Sequence, residues 1–72
     1  MSEQERQVHL AFAILSIAEA EHAFYMLKDN LQRQKRGETF SAAEAAEYHG
    51  RAQDRMGALR VAFEAAEGKG DT

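Results

Sequence analysis

Between Lys35-Arg36-Gly37 and Ser41-Ala42-Ala43-Glu44 lies the one strong break in a chain that contains no proline. Two cations followed by glycine suit a helix C-terminus: the cations answer the carbonyl end of the dipole, and glycine accepts the left-handed turn beyond it. Ser-x-x-Glu is the opposite signal, a capping box that opens a helix. Phe40, just ahead of that cap, is placed as a hydrophobic staple against Ala45. The break predicts two helices, at residues 3–36 and 42–67, with a loop at 37–40 and a fraying tail at 68–72. Gly50 is a weak point of the second, costing ~1 kcal/mol relative to alanine. Strand-like alternation and internal repeats are absent, so the 72 residues read as a single helix-loop-helix domain.

Apolar spacing then sets the register. Leu10, Ala13, Ile17, Ala20, Phe24, Leu27 and Leu31 recur at alternating spacings of three and four, and so do Ala45, His49, Ala52, Met56, Leu59, Phe63 and Ala66. Both are heptad seams. Folded antiparallel about Gly37, they set Leu31 against Ala45, Leu27 against His49, Phe24 against Ala52, Ala20 against Met56 and Ala13 against Phe63. Large side chains meet small ones, as interdigitating layers require. Glu21 faces Arg55 as a rim pair in this register. The expected fold is all-α, an antiparallel helical hairpin. At ~100° per residue, Val8, Phe12, Leu15 and Met26 project almost opposite the seam as a second apolar stripe. Such a stripe marks an interface. Two hairpins joined as a homodimeric four-helix bundle are expected, with the stripe serving the dimer or another protein.

Composition narrows the partners. Nine Lys and Arg face twelve Asp and Glu, a net charge of −3, which disfavours nucleic acid and anionic membranes. The absence of cysteine rules out disulfides and thiolate zinc sites. A domain this small buries only ~60% of its unfolded surface, so oligomerisation is the remaining support. The polar residues 1–7 do not read as a signal peptide. The apolar block at residues 10–15 is far shorter than the ~20 residues of a membrane span. A cytoplasmic protein with no membrane partner is the expectation.

Chemistry has few candidates. Glu19 and His22 form a Glu-x-x-His pair, the element that di-iron helical bundles contribute from facing helices. That chemistry needs further inward carboxylates. The second helix offers none, because Glu47 and Asp54 point outward and Glu44 belongs to the cap. Neither a nucleophile elbow nor a phosphate loop nor a glycine-rich fingerprint occurs. The expectation is therefore no enzyme, no cofactor and no bound metal. His49 reads as an interface histidine, the residue type from which a pH-dependent contact is built, and His9 has no partner pattern. Arg33, Lys35 and Arg36 offset the dipole beside the loop. Tyr48 and Arg51, three residues apart, neighbour each other on one helix face. With Arg36 and Phe40 they form the candidate partner-binding cluster, since aromatic and arginine side chains concentrate binding energy.

A short acidic hairpin ending in Gly68-Lys69-Gly70-Asp71-Thr72 resembles, in architecture, the plasmid repressor-of-primer (Rop) bundle. That resemblance implies a dimeric four-helix bundle, and it transfers no RNA-contacting position. Very small helical proteins of phages and other mobile elements often act as stoichiometric inhibitors of host proteins, and this size without catalytic motifs fits that class. The expected function is a non-enzymatic protein-binding module that regulates or inhibits another protein. The alternatives are, in order, a structural self-assembly unit, a Rop-like dimeric RNA binder and a di-metal carboxylate protein.

Overall fold

The computed structural model describes residues 2–39 and 41–68. Two helices, α1 (Glu3–Lys35) and α2 (Ala42–Ala66), lie side by side as an antiparallel hairpin. Each begins on a serine. The Ser2 hydroxyl accepts from the Glu5 amide at 3.2 Å, and the Ser41 hydroxyl accepts from the Glu44 amide at 3.1 Å. Each ends on a glycine in the left-handed region, Gly37 at φ 85° and Gly68 at φ 75°. At the first of these the Glu38 amide donates to the Arg33 carbonyl and the Gly37 amide to the Gln34 carbonyl. That pair of bonds is the Schellman arrangement, which satisfies carbonyls the helix would leave orphaned. Phe40 and the tail beyond Gly68 lie outside the described residues, so the staple expected at Phe40 is not seen.

The seam between the helices is made of small residues. Ala13, Ser16, Ala20, Ala23 and Asn30 are buried on α1, and Ala45, Ala52, Ala62 and Ala66 on α2. Leu27, Tyr48, Arg55 and Leu59 are half-buried between them. Spacings of three and four are retained, but the row is rotated from the one expected from hydropathy. Ala13, Ala20, Leu27, Ala45, Ala52, Leu59 and Ala66 belong to both rows. Ile17, Phe24, Leu31, Met56 and Phe63 do not: they are 43%, 42%, 50%, 43% and 52% exposed, and His49 is exposed as well. The physical reason is close approach. Helix axes pack 8–10 Å apart according to the side chains between them, and alanine faces let two backbones come nearest. Placing five bulky residues in a two-helix seam would hold the helices apart and forfeit dispersion contacts along their length.

The same rotation corrects two other expectations. Arg55 reaches Glu19 at 3.3 Å rather than Glu21, because Glu19 is the acid that borders the rotated seam. Val8, Phe12 and Leu15 are exposed, yet they do not lie opposite the seam. Phe12 and Leu15 border a groove that also holds buried Ser16 and Ala62, so the stripe flanks the seam. Met26, in one row with Phe12 and Glu19, is half-buried.

Asn30 pins the hairpin at the loop end. It is only 1% exposed, donates to the Ser41 carbonyl at 3.1 Å across the two helices, and accepts from the Gln34 amide at 2.5 Å. Among the described residues, no buried side-chain nitrogen or oxygen lacks a partner.

The hairpin measures 53 × 18 × 12 Å. The described residues form two helices side by side, with no third element over either broad side. The hairpin is one layer thick. By length and composition α1 is long and apolar enough to cross a membrane, with a mean hydropathy of 1.4 over its most apolar 18 residues, 22% buried. Glu19, Glu21 and His22 sit near its middle, where a bilayer interior accepts ionisable groups only at considerable cost.

Candidate functional site

A one-layer hairpin has two broad flanks, one on each side of the seam. Residues seven apart stack along a helix in heptad geometry. Ile17, Phe24 and Leu31 thus form a row on α1, and Met56 and Phe63 form one on α2. Antiparallel packing brings both rows to the same side. Val8, Phe12, Leu15 and Glu19 of α1 lie on the other side, with Arg51, Arg55, Ala58 and Val61 of α2.

That second side holds an open groove of about 540 Å³, lined by Ala18, Glu19, His22 and Ala23 from α1 and by Tyr48, Arg51, Asp54 and Arg55 from α2. Tyr48 is half-buried, and the Arg51 guanidinium lies 5.6 Å from its ring centroid, within range of a cation–π contact. Glu47, one turn earlier, holds Arg51 at 2.6 Å. This is the favoured order for a helical ion pair, acid before base. The arginine is thereby held between Glu47 and the Tyr48 ring. Arg55 bridges to Glu19 across the floor. A second groove of about 470 Å³ continues from it, sharing Glu19 and Arg55 and adding Phe12, Leu15, Ala58 and Val61. The trough therefore has a cationic and aromatic half and an apolar half.

Two of the four residues expected at a partner-binding cluster meet here, Tyr48 and Arg51. Arg36 does not join them. Its guanidinium pairs with Glu38 at 2.8 Å beside the α1 C-terminus, and Arg33 is held there by Asp29 at 3.0 Å and Glu38 at 3.7 Å. Two of the three cations of the basic cluster at the loop are thus paired locally. Phe40 lies outside the described residues. Glu19 and His22 do share the groove, as the i, i+3 spacing requires. Glu19 is nevertheless engaged by Arg55, and among the described residues no group of three or more His, Asp or Glu is placed to hold a metal ion. Helical spacing alone did not reveal that the Glu-x-x-His pair and the Tyr48–Arg51 pair share one groove. The signal that would have done so is the alanine row at 13, 20, 23 and 52, which fixes how the helices face.

The opposite flank carries a different groove, about 460 Å³, lined by Phe24, Leu27 and Leu31 with Lys28, Gln32 and Lys35 at its rim. Its floor is apolar. Comparison with known proteins adds no name to these surfaces: no family model, curated protein or solved structure matches the chain.

Proposed function

We propose that the chain is a small non-enzymatic module that binds another protein, working in the cytoplasm as a pair of hairpins. One observation carries the reading: the large apolar side chains stand outside the seam, from Ile17 and Phe24 on one flank to Phe12, Leu15 and Val61 on the other. Soluble monomers rarely expose contiguous apolar surface on this scale, and patches that persist mark interaction sites. A hairpin one layer thick completes its burial on other protein surfaces. The trough bearing Tyr48 and Arg51 is the docking site for the regulated protein, with the aromatic and guanidinium groups as anchors and Phe12 and Leu15 extending the contact. Occupying such a trough one-to-one gives a stoichiometric regulator or inhibitor. The Glu19–Arg55 and Glu47–Arg51 pairs leave few unmatched cations, which favours protein over RNA as the partner.

A photo-crosslinking residue at position 48 or 51, introduced into the chain in its native cell, tests this. A single dominant one-to-one adduct, weakened tenfold or more by Tyr48→Ala with Arg51→Ala while helicity is retained, is the expected result. An adduct from position 25, on the far side of α1, in place of one from the trough would move the docking site. Crosslinks only between copies of the chain would leave self-assembly as the function.

A further inference from the structure

The flank that bears Ile17, Phe24, Leu31, Met56 and Phe63 needs an occupant. We infer that it is a second copy of this chain, docked flank to flank, so that the opposite trough stays open for a different protein. The inference rests on the two-hairpin reading above and assigns its surface.

Area is the first argument. The chain exposes 5400 Å², whereas a compact protein of its 8.1 kDa mass exposes ~4,500 Å² on the usual surface–mass scaling. The excess is on the order of 900 Å². A standard-size protein interface covers ~800 Å² per partner. One matching surface per chain therefore brings the hairpin to ordinary compactness. The radius of gyration agrees: it is 16.1 Å, against ~11 Å for a compact domain of this length. A second hairpin laid on one broad face doubles the thickness and leaves the length unchanged.

The choice of flank follows from side-chain chemistry. Five large apolar residues, from both helices, line this side without a charge between them in their rows. The other side has Glu19 and Arg55 bridging the middle of its trough, so its apolar surface is interrupted and it is the less suited of the two to pack against a second large apolar face. The apolar flank also carries charges of both signs at its edge. Glu21, Lys28 and Lys35 have no ion pair within the chain among the described residues. A surface with both signs along its edge can meet a copy of itself without a uniform clash, which a two-fold interface demands because the same patch serves both partners.

Sedimentation equilibrium of the whole chain and four single variants tests the assignment, with far-UV circular dichroism to verify helix content. The wild type is expected to be a dimer at 10 μM. Phe24→Asp on α1 and Met56→Asp on α2 should each raise the dissociation constant a hundredfold or more while keeping most of the helix signal. Tyr25→Asp, on the far side of α1, should leave it within threefold. A wild type that stays monomeric at 100 μM overturns both the inference and the two-hairpin reading. A dimer that resists Phe24→Asp and Met56→Asp but is dissociated by Leu15→Asp overturns the inference alone, because it places the second copy in the trough.

Discussion

Replacing Asn30 by alanine removes the polar pin between α1 and the start of α2. Two hydrogen bonds are lost, one to the Ser41 carbonyl and one from the Gln34 amide, each worth ~1 kcal/mol net. Ser41 is exposed and Gln34 half-exposed, so water reaches the groups left behind and the larger penalty for buried orphans does not apply. Alanine also gains up to ~0.7 kcal/mol of helix propensity over asparagine. The balance is a loss of about 1–2 kcal/mol. Domains of this size have a total stability of roughly 4–10 kcal/mol, so the change is easily measured. With a urea slope of about 1–1.5 kcal/mol/M for a small protein, the midpoint falls by ~1 M. The assay is urea unfolding followed by helix ellipticity at one fixed protein concentration, because association shifts apparent stability. Asn30→Asp sharpens the test. It keeps the acceptor for Gln34 but turns a carboxylate toward the Ser41 carbonyl, so at neutral pH it should be less stable than the alanine variant. A midpoint shift under 0.3 M for Asn30→Ala, or an aspartate variant as stable as the alanine one, would refute the pin.

Glycine substitutions should divide by backbone conformation. At Gly37 a methyl group meets nothing within 4 Å, but φ is +85°, so Gly37→Ala should cost ~1–2 kcal/mol through backbone strain alone; an unchanged melting temperature would contradict this. Gly50 and Gly57 are helical, and an added methyl there also meets nothing within 4 Å. Gly50→Ala with Gly57→Ala should therefore raise stability by about 1–2 kcal/mol in total, read as a higher midpoint in the same urea titration.

Local features were the legible part of the fold. The stop at Gly37 and the cap at Ser41 rest on short-range chemistry, and both are formed. A second Ser-x-x-Glu, Ser2-Glu3-Gln4-Glu5, caps α1 through Ser2 in the same way and carried the same signal. The seam was legible only in half of its positions. Hydropathy ranks isoleucine and phenylalanine above alanine and serine, so it drew the row through Ile17, Phe24, Met56 and Phe63. Two helices with no third layer are governed by approach distance instead, and that selects Ala23, Ala62 and Ser16. Asn30 was invisible to an apolar criterion, although it falls on the heptad spacing of the true row. At the candidate site, the i, i+3 rule joined Tyr48 to Arg51 correctly. Arg36 was misplaced because nearness in sequence to the loop says nothing of its local acid, Glu38.

The alanine seam has a further consequence, for the heat and entropy of association. Burying alanine freezes no side-chain rotamer, so the helices dock against each other while the bulky residues beside them keep their conformational freedom. That freedom is lost only when a surface closes over Ile17, Phe24, Leu31, Met56 and Phe63, at roughly 0.5–1.5 kcal/mol for each immobilised side chain. Folding of the hairpin and covering of its flank are thus thermodynamically separate events. Folding carries the larger share of the negative heat-capacity change, because a chain of this mass exposes ~11,700 Å² unfolded and 5400 Å² as the hairpin, and it bears the backbone entropy. Covering the flank adds a smaller heat-capacity decrement and a side-chain entropy loss that docking on alanine does not incur.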